Sequence, residues 1–453
     1  MLANLLKDKK FLSTMFRIAS PIMLQNLIFS SLGLVDGLMI GQLGEDAVAA
    51  VGIANQVFFL VSLLFFGISS GTAIFTAQYW GQGDVKRIQS VMGLSLLMSV
   101  AGSLVFSLVA ILIPDKVLSL YTTDPEVIAQ GSRYLQIVAF GYVLTAITNS
   151  YSAVMRSTEN VKLPMLISLL TLSFNTILNF CLIQGNFGFP ALGVSGAGIA
   201  TVSSRLLETS LLLIIAYRQK LPVAAKLKDL LNFRILPLSK FFKTTLPVIA
   251  TEIAWSFGIA TYNVVYARIG TESIAAINIA STLDRLVFVV FIGLGNACAI
   301  MIGNKLGAGE RDIAIDYGRK YLTFGSVAAV IFGLIMMALA NPLLSFYKIS
   351  PETVQYTYRI LIVMALSLPV RSLNLILLIG ILRSGGDTRY AFFIDAGVIW
   401  SIGVPLALLS GFVFDLPIYW VYSIIMTEEV VKLCLGMYRF FSNKWINMLT
   451  SPA

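Results

Sequence analysis

The sequence predicts an all-α, polytopic membrane protein with twelve transmembrane helices in two six-helix bundles, related by a pseudo-twofold axis along the membrane normal. Three observations carry that expectation. First, 57% of the 453 residues are apolar and only 12% are charged, against about 25% charged in soluble domains; the mean hydropathy is +0.85. Second, charge clusters divide the apolar residues into twelve blocks, each of the roughly 20 residues or more that a helix needs to cross a bilayer. Third, the two halves repeat one another at a nearly constant offset, the mark of a duplicated unit. Each unit has an even number of spans, so both copies enter the membrane from the same side and two lobes are expected to flank a central cleft.

In chain order, the first unit's spans lie near residues 14–40, 48–78, 89–113, 131–153, 164–184 and 197–217. Those of the second lie near 241–268, 274–303, 319–342, 355–382, 389–410 and 418–441. Spans 1, 2, 7 and 8 are longer than the bilayer is thick and are expected to tilt or project. The chain thus divides into an N-lobe, 1–217, a linker, 218–240, and a C-lobe, 241–453. The linker mixes Lys and Arg with Leu, Phe and Ile, which suits the cytoplasmic headgroups. Lys7, Lys9 and Lys10 precede no short apolar core with a cleavage site, so the first helix is expected to target the chain itself.

The formal net charge is +9, but it alternates with the loops instead of forming one basic face, which argues against a nucleic-acid partner. Lys86 and Arg87, Arg156 and Lys162, the linker, Lys305 and Arg311, Arg383 and Arg389, and Arg439 and Lys444 share a side with the amino terminus. The opposite loops hold only Lys116, Arg133, Arg268, Lys348 and Arg359. The positive-inside rule then places both termini in the cytoplasm of a multi-pass plasma-membrane protein.

An offset of 226 residues pairs Pro21 with Pro247, Gly44 with Gly270, Gly81 and Gly83 with Gly307 and Gly309, Tyr121 with Tyr347, Pro125 with Pro351, and Arg133 with Arg359. One further residue then brings Arg156-Ser157 into line with Arg383-Ser384.

Several chemistries are excluded. The chain has no histidine, so a histidine relay, a histidine metal site and Ser-His-Asp catalysis are out. Cys181, Cys298 and Cys434 all fall inside apolar blocks and read as buried small hydrophobes, not as a disulfide or zinc framework. The turns Gly81-Gln82-Gly83-Asp84 and Gly307-Ala308-Gly309-Glu310 follow no strand and lack a Gly-Lys-Ser/Thr ending, so they are tight helix connections and not phosphate loops. No enzymatic activity and no bound cofactor is expected.

The chemistry falls to polar residues inside the spans, where a charged side chain costs about 2.5–3.5 kcal/mol to insert. Asp36 lies some six residues from the outer end of span 1, on a face shared with Asn26, Ser30, Gly33 and Gly37. On span 5, Ser168, Thr171, Asn175 and Asn179 recur at spacings of three and four and share one face. Asn179, Thr201 on span 6 and Asp36 all sit roughly five residues deep, so three helices bring oxygens to one level. A carboxylate, two amide carbonyls and a hydroxyl suit Na⁺; the same carboxylate in an apolar wall can instead carry a proton. The alternative is that Asn and Thr serve only to hold helices together.

In the second half, Glu252 near the middle of span 7 has Trp255, Ser256, Ile259 and Asn263 on or beside its face, and Tyr262 is the repeat mate of Asp36. A carboxylate beside Trp and Tyr suits a cationic aromatic ligand. Asp395 in span 11 is similar but more isolated. Arg205 with Glu208, and Glu428 and Glu429 with Lys432, are spaced to neutralise one another. Asp284 and Arg285 point in different directions, and Arg371 has no evident local partner.

These residues resemble the multidrug and toxin extrusion (MATE) transporters of the multidrug/oligosaccharidyl-lipid/polysaccharide exporter superfamily. The likeness spans essentially the whole chain. It rests on Pro21 to Asp36-Gly37 in span 1, the Gly-x-Gly turns, Arg156-Ser157 and Arg383-Ser384, and Gly386-Asp387-Thr388. The resemblance implies a secondary antiporter that exports cationic amphipathic compounds in exchange for Na⁺ or H⁺. It implies Asp36, Asn175 and Thr201 as cation-coupling residues, with Asn179 where many sodium-coupled members have a second Asp. Glu252 is similar to the carboxylate that many members carry on helix 7, and an acidic residue that some carry on helix 10 has no match.

The expected function is therefore multidrug efflux by alternating access. The coupling cation, Na⁺ or H⁺, would bind at Asp36, Asn175, Asn179 and Thr201. Cationic small molecules would bind at Glu252, Trp255, Ser256, Tyr262, Asn263 and Asp395. The lipid bilayer is the surrounding partner, and the chain is expected to act as a monomer. A flippase for lipids or lipid-linked sugars is the alternative within the same superfamily; a channel or an integral-membrane enzyme would belong to other classes.

Overall fold

Inside a bilayer a span can satisfy its backbone amides only through its own hydrogen bonds, and a helix is the local way to do so. The computed structural model describes residues 7–450, except Phe346 and Lys348 and the side chain of Leu34; Lys348 of the charge pattern thus lies outside the described residues, as do the first six and last three residues of the predicted lobes. The described residues contain helices and no strand. Among the described residues, eleven helices are long and apolar enough to cross a membrane. In the first half they are α1, Lys9–Ile40; α2, Glu45–Gly81; α3, Val85–Leu112; α4, Pro125–Ser157; α5, Lys162–Gln184; and α6, Gly193–Arg218. In the second half they are α7, Leu238–Ile269; α8, Thr271–Gly307; α9, Arg311–Leu344; α10, Pro351–Arg383; and α11, Thr388–Val413. A twelfth, α12, breaks at Met426 into Ile418–Ile425 and Thr427–Phe441, and neither piece alone spans a bilayer.

The sequence sets these limits by local chemistry. Pro125 and Pro351, repeat mates, occupy the first turns of α4 and α10, where the missing amide costs nothing. Before them, the Asp124 carboxylate accepts from the Glu126 and Val127 amides at 2.9 and 3.3 Å, and the Ser350 hydroxyl accepts from Thr353 at 3.2 Å. Gly83 and Gly309 have φ of +73° and +80°, a conformation that favours glycine; this is why both connections after α2 and α8 carry Gly-x-Gly.

The residues group into two compact units, Leu24–Thr245 on the one hand and Met1–Met23 with Leu246–Ala453 on the other. The opening part of α1 thus belongs with the second half's helices and the opening part of α7 with the first half's. The change of unit falls two residues after Pro21 in α1 and just before Pro247 in α7. In the first unit α4 packs against α2, α3 and α6, and α5 packs against α6. In the second, α10 packs against α8 and α9.

Helix α10 ends in a π-helical stretch, Ile376–Arg383, and α11 contains two more, Ile399–Gly403 and Leu409–Val413. The first lies where the repeat offset grows by one residue, between Arg359 and Arg383. A π-turn is an α-helix that has absorbed one extra residue, so the structure accounts for that change of register.

Cys181 and Cys298 are buried as expected, but Cys434 is exposed, because its side of α12 faces out of the unit, as the exposed Val430, Leu435 and Tyr438 also do.

At the α5–α6 contact, a side chain on Gly196 would run into the Leu182 carbonyl. Gly196→Leu is expected to lower stability by about 1–3 kcal/mol, the usual result of overpacking. A thermal-unfolding scan of the detergent-purified protein would show it as a lower Tm.

Candidate functional site

Helix α5 turns its polar stripe inward. Ser168, Thr171, Asn175 and Asn179 are all buried, whereas Leu166, Leu169, Leu170 and Ile177 are exposed on the surface of the unit. With apolar side chains facing lipid, hydrogen-bonding groups are free to define the interior. The Asn179 amide donates from Nδ2 to Asp36 Oδ1 at 2.6 Å and to Asn175 Oδ1 at 3.0 Å. Asp36, Asn175 and Asn179 are thereby joined directly.

Asp36 and Thr201 line a cavity of about 530 Å³ inside the first unit, within the size range of small-molecule sites. Phe29, Phe58, Tyr134 and Tyr142 contribute aromatic walls. Gly33 and Gly37 line the cavity beside Asp36, while Ser30, expected on the same face, is exposed on the unit's surface. The buried Asn179 Oδ1 has no hydrogen-bond partner within the protein. The carboxylate of Asp36, the amide oxygen of Asn179 and the hydroxyl of Thr201 are hard oxygens, the donor type that Na⁺ takes.

Arg205 lines this cavity too. It donates to Glu208 Oε2 at 2.8 Å and lies 5.9 Å from the Phe29 ring centroid. Glu208 also accepts from Ser168 at 3.3 Å, and Ser168 accepts from Gln25 at 3.1 Å. The expected Arg205–Glu208 pair is therefore present, and it borders the cavity. Sequence reasoning missed Tyr134, Tyr142 and Thr145 on α4. Their spacing of eight and three residues, at helical period, was the available signal.

The second-half candidates are arranged differently from the expectation. Glu252 accepts from the buried Arg383 at 2.8 Å, so the Arg-Ser motif after span 10 neutralises it. The buried Tyr262 hydroxyl donates to Glu428 Oε2 at 2.6 Å. Asp395 is not isolated, because Lys432 lies 3.3 Å from its Oδ1. Trp255 and Asn263 are exposed on the unit's surface. Ser256 is half-buried.

Lys432 also reaches Glu428 at 3.4 Å and Glu429 at 3.1 Å, as their spacing predicts. Arg371, without a partner in the sequence reading, makes two hydrogen bonds to Asp284, at 2.9 and 2.7 Å. Breaking a buried ion pair by removing one partner typically costs about 3–5 kcal/mol. Arg383→Met is therefore expected to destabilise the protein by that order, and Arg383→Met with Glu252→Gln to recover much of the loss, read as Tm in detergent.

A family model described as MatE matches residues 21–181 and 247–409, two stretches that begin at repeat-mate prolines. The uncharacterized transporter YisQ of Bacillus subtilis is 25% identical over 442 residues, covering 97% of this chain and 96% of its own. The probable multidrug resistance protein NorM of Thermotoga maritima is 22% identical over 440 residues, covering 95% of this chain and 92% of its own. The Vibrio cholerae MATE transporter VcmN in its bent form shares the fold, with a TM-score of 0.84 at 20% identity over 97% of this chain and 99% of that one. With the matched model covering most of both halves, the chain belongs to the MATE family of membrane transporters and is not an enzyme.

Proposed function

We propose that the protein is a secondary antiporter that exports cationic amphipathic compounds in exchange for Na⁺ or H⁺ by alternating access. The observation that carries this reading is the double engagement of Asp36, which is hydrogen-bonded to Asn179 and also lines the aromatic cavity. A carboxylate so placed has two classes of partner. A small cation approaches it from the Asn179 and Thr201 side, and an organic cation approaches it through the cavity, with Phe29, Phe58, Tyr134 and Tyr142 to hold its apolar body and its charge. Occupation by one weakens the attraction for the other. Coupling then needs only that the small cation bind one conformation more tightly than the other.

Glu252 and Asp395 already have cationic partners in Arg383 and Lys432, which leaves Asp36 as the better anchor for a cationic cargo. A flippase for anionic lipids calls for uncompensated cations along its path. Arg205, the cation lining this cavity, is paired with Glu208. The Lys and Arg bias among the loops supports a plasma-membrane protein with cytoplasmic termini, and we propose that the chain acts as a monomer.

The test is ethidium transport by proteoliposomes under imposed Na⁺ or pH gradients. Wild type is expected to respond to one of the two gradients. Asp36→Asn should lose gradient-driven transport by roughly a hundredfold, the order of effect when an essential proton- or ion-carrying group is removed. Undiminished gradient-driven efflux in this variant would refute the coupling role.

A further inference from the structure

The aromatic cavity of the first unit has a cationic wall as well as an anionic one. Asp36 and Arg205 are the charged residues among those that line it, and the others are apolar, aromatic or uncharged polar. Arg205 follows Thr201 by four residues on α6, so one helix face brings hydroxyl and guanidinium to the same space. The cavity thus offers one carboxylate and one guanidinium.

The counter-ion of Arg205 stands outside this cavity. Its guanidinium donates to Glu208 Oε2 at 2.8 Å, and Glu208 lines a separate recess of about 20 Å³ beside Ser168 and Asn175. Phe29, Leu32, Thr201 and Arg205 line both spaces and so form the wall between them. The recess has room for about one water molecule, too little for an organic ammonium group. Glu208 is buried, and its other carboxylate oxygen already accepts from Ser168 at 3.3 Å. The pair carries no net charge, but its ends are not equivalent. The cationic end borders the space open to cargo, held there also by the Phe29 ring at 5.9 Å, and the anionic end lies behind it.

We infer that Arg205 is a specificity-determining residue that limits the cargo to a single positive charge. The inference rests on the proposed binding of cationic amphipathic compounds at Asp36. A monovalent cation sets its charge at Asp36 and its apolar body against the aromatic walls. The second charge of a dication finds no further carboxylate in the cavity and stands against a guanidinium whose counter-ion is out of reach. At the effective dielectric of a protein site, like charges several ångströms apart repel enough to weaken binding by roughly tenfold. The hydration that the second charge gives up on entering is not replaced.

Ethidium and propidium share one phenanthridinium ring system, and propidium carries an additional quaternary ammonium on its side chain. Fluorescence anisotropy reads the affinity of each dye for the full-length protein in detergent, without any ion gradient. Wild type is expected to bind ethidium more tightly than propidium, by about tenfold. Arg205→Gln combined with Glu208→Gln removes both charges of the pair, and the ratio of propidium to ethidium affinity should then rise about tenfold. Arg205→Lys, which retains the positive charge, should keep the wild-type ratio. A residue that only held α6 in place would alter both dyes together and leave the ratio where it was. An unchanged ratio in the double variant would overturn the inference. So would propidium bound as tightly as ethidium by wild type, a comparison that decides the matter if the double variant does not fold. Ethidium binding left intact by Asp36→Asn would instead refute the placement of cargo at Asp36, on which the inference rests.

Discussion

Water is missing from the bilayer core, so each ionised group there must find its counter-charge or its hydrogen bonds inside the protein. That constraint decides how both units are built. Asp284 with Arg371, Glu252 with Arg383 and Glu208 with Arg205 are answered pairwise, at 2.7, 2.8 and 2.8 Å. Asp36 is answered by an amide instead of a cation. An amide donates a hydrogen bond without cancelling the charge, and this leaves Asp36 able to attract a mobile cation. The Asp284–Arg371 and Glu252–Arg383 pairs join different helices, whereas Asp36 stands at a cavity with no cation bonded to it.

The two units solve the same problem with different parts. Asp36 and its repeat mate Tyr262 occupy matching positions on α1 and α7. The first is an acid served by Asn179, and the second is a donor serving the acid Glu428. Glu208, Tyr217 and Arg218 at the end of α6 are echoed by Glu429, Tyr438 and Arg439 at the end of α12. Both units therefore keep a carboxylate at this level, but only the second surrounds it with further acids. Duplication supplied a common frame of helices, and the polar interior diverged within it.

What was legible in the sequence follows the range of the interactions. The span pattern, the capped starts of α4 and α10 and the glycine turns depend on neighbours in the chain and could be read directly. The stripe on α5 was legible because helical spacing alone puts Ser168, Thr171, Asn175 and Asn179 on one face. Asp36 and Asn179 are 143 residues apart, yet their shared depth below the outer loops was enough to bring them together. Depth alone does not give the rotation of a helix about its axis. Arg371 and Asp284, 87 residues apart, and Arg383 and Glu252, 131 apart, meet because of how α7, α8 and α10 are turned. Trp255 and Asn263 follow Glu252 at helical spacing along α7, yet they are exposed on the unit's surface while Glu252 is engaged by Arg383, a partner that spacing along α7 does not reveal.

The π-helical end of α10 keeps a matched contact in place despite a change of length. An extra residue inside a regular helix would turn everything beyond it by about 100°, and the wider π turn takes that residue up within the helix. Arg156 and Arg383, repeat mates across this change, therefore still reach neighbouring positions of α1 and α7. Arg156 lies 3.5 Å from Gln25, which adjoins Asn26, the repeat mate of Glu252, and Arg383 pairs with Glu252 itself.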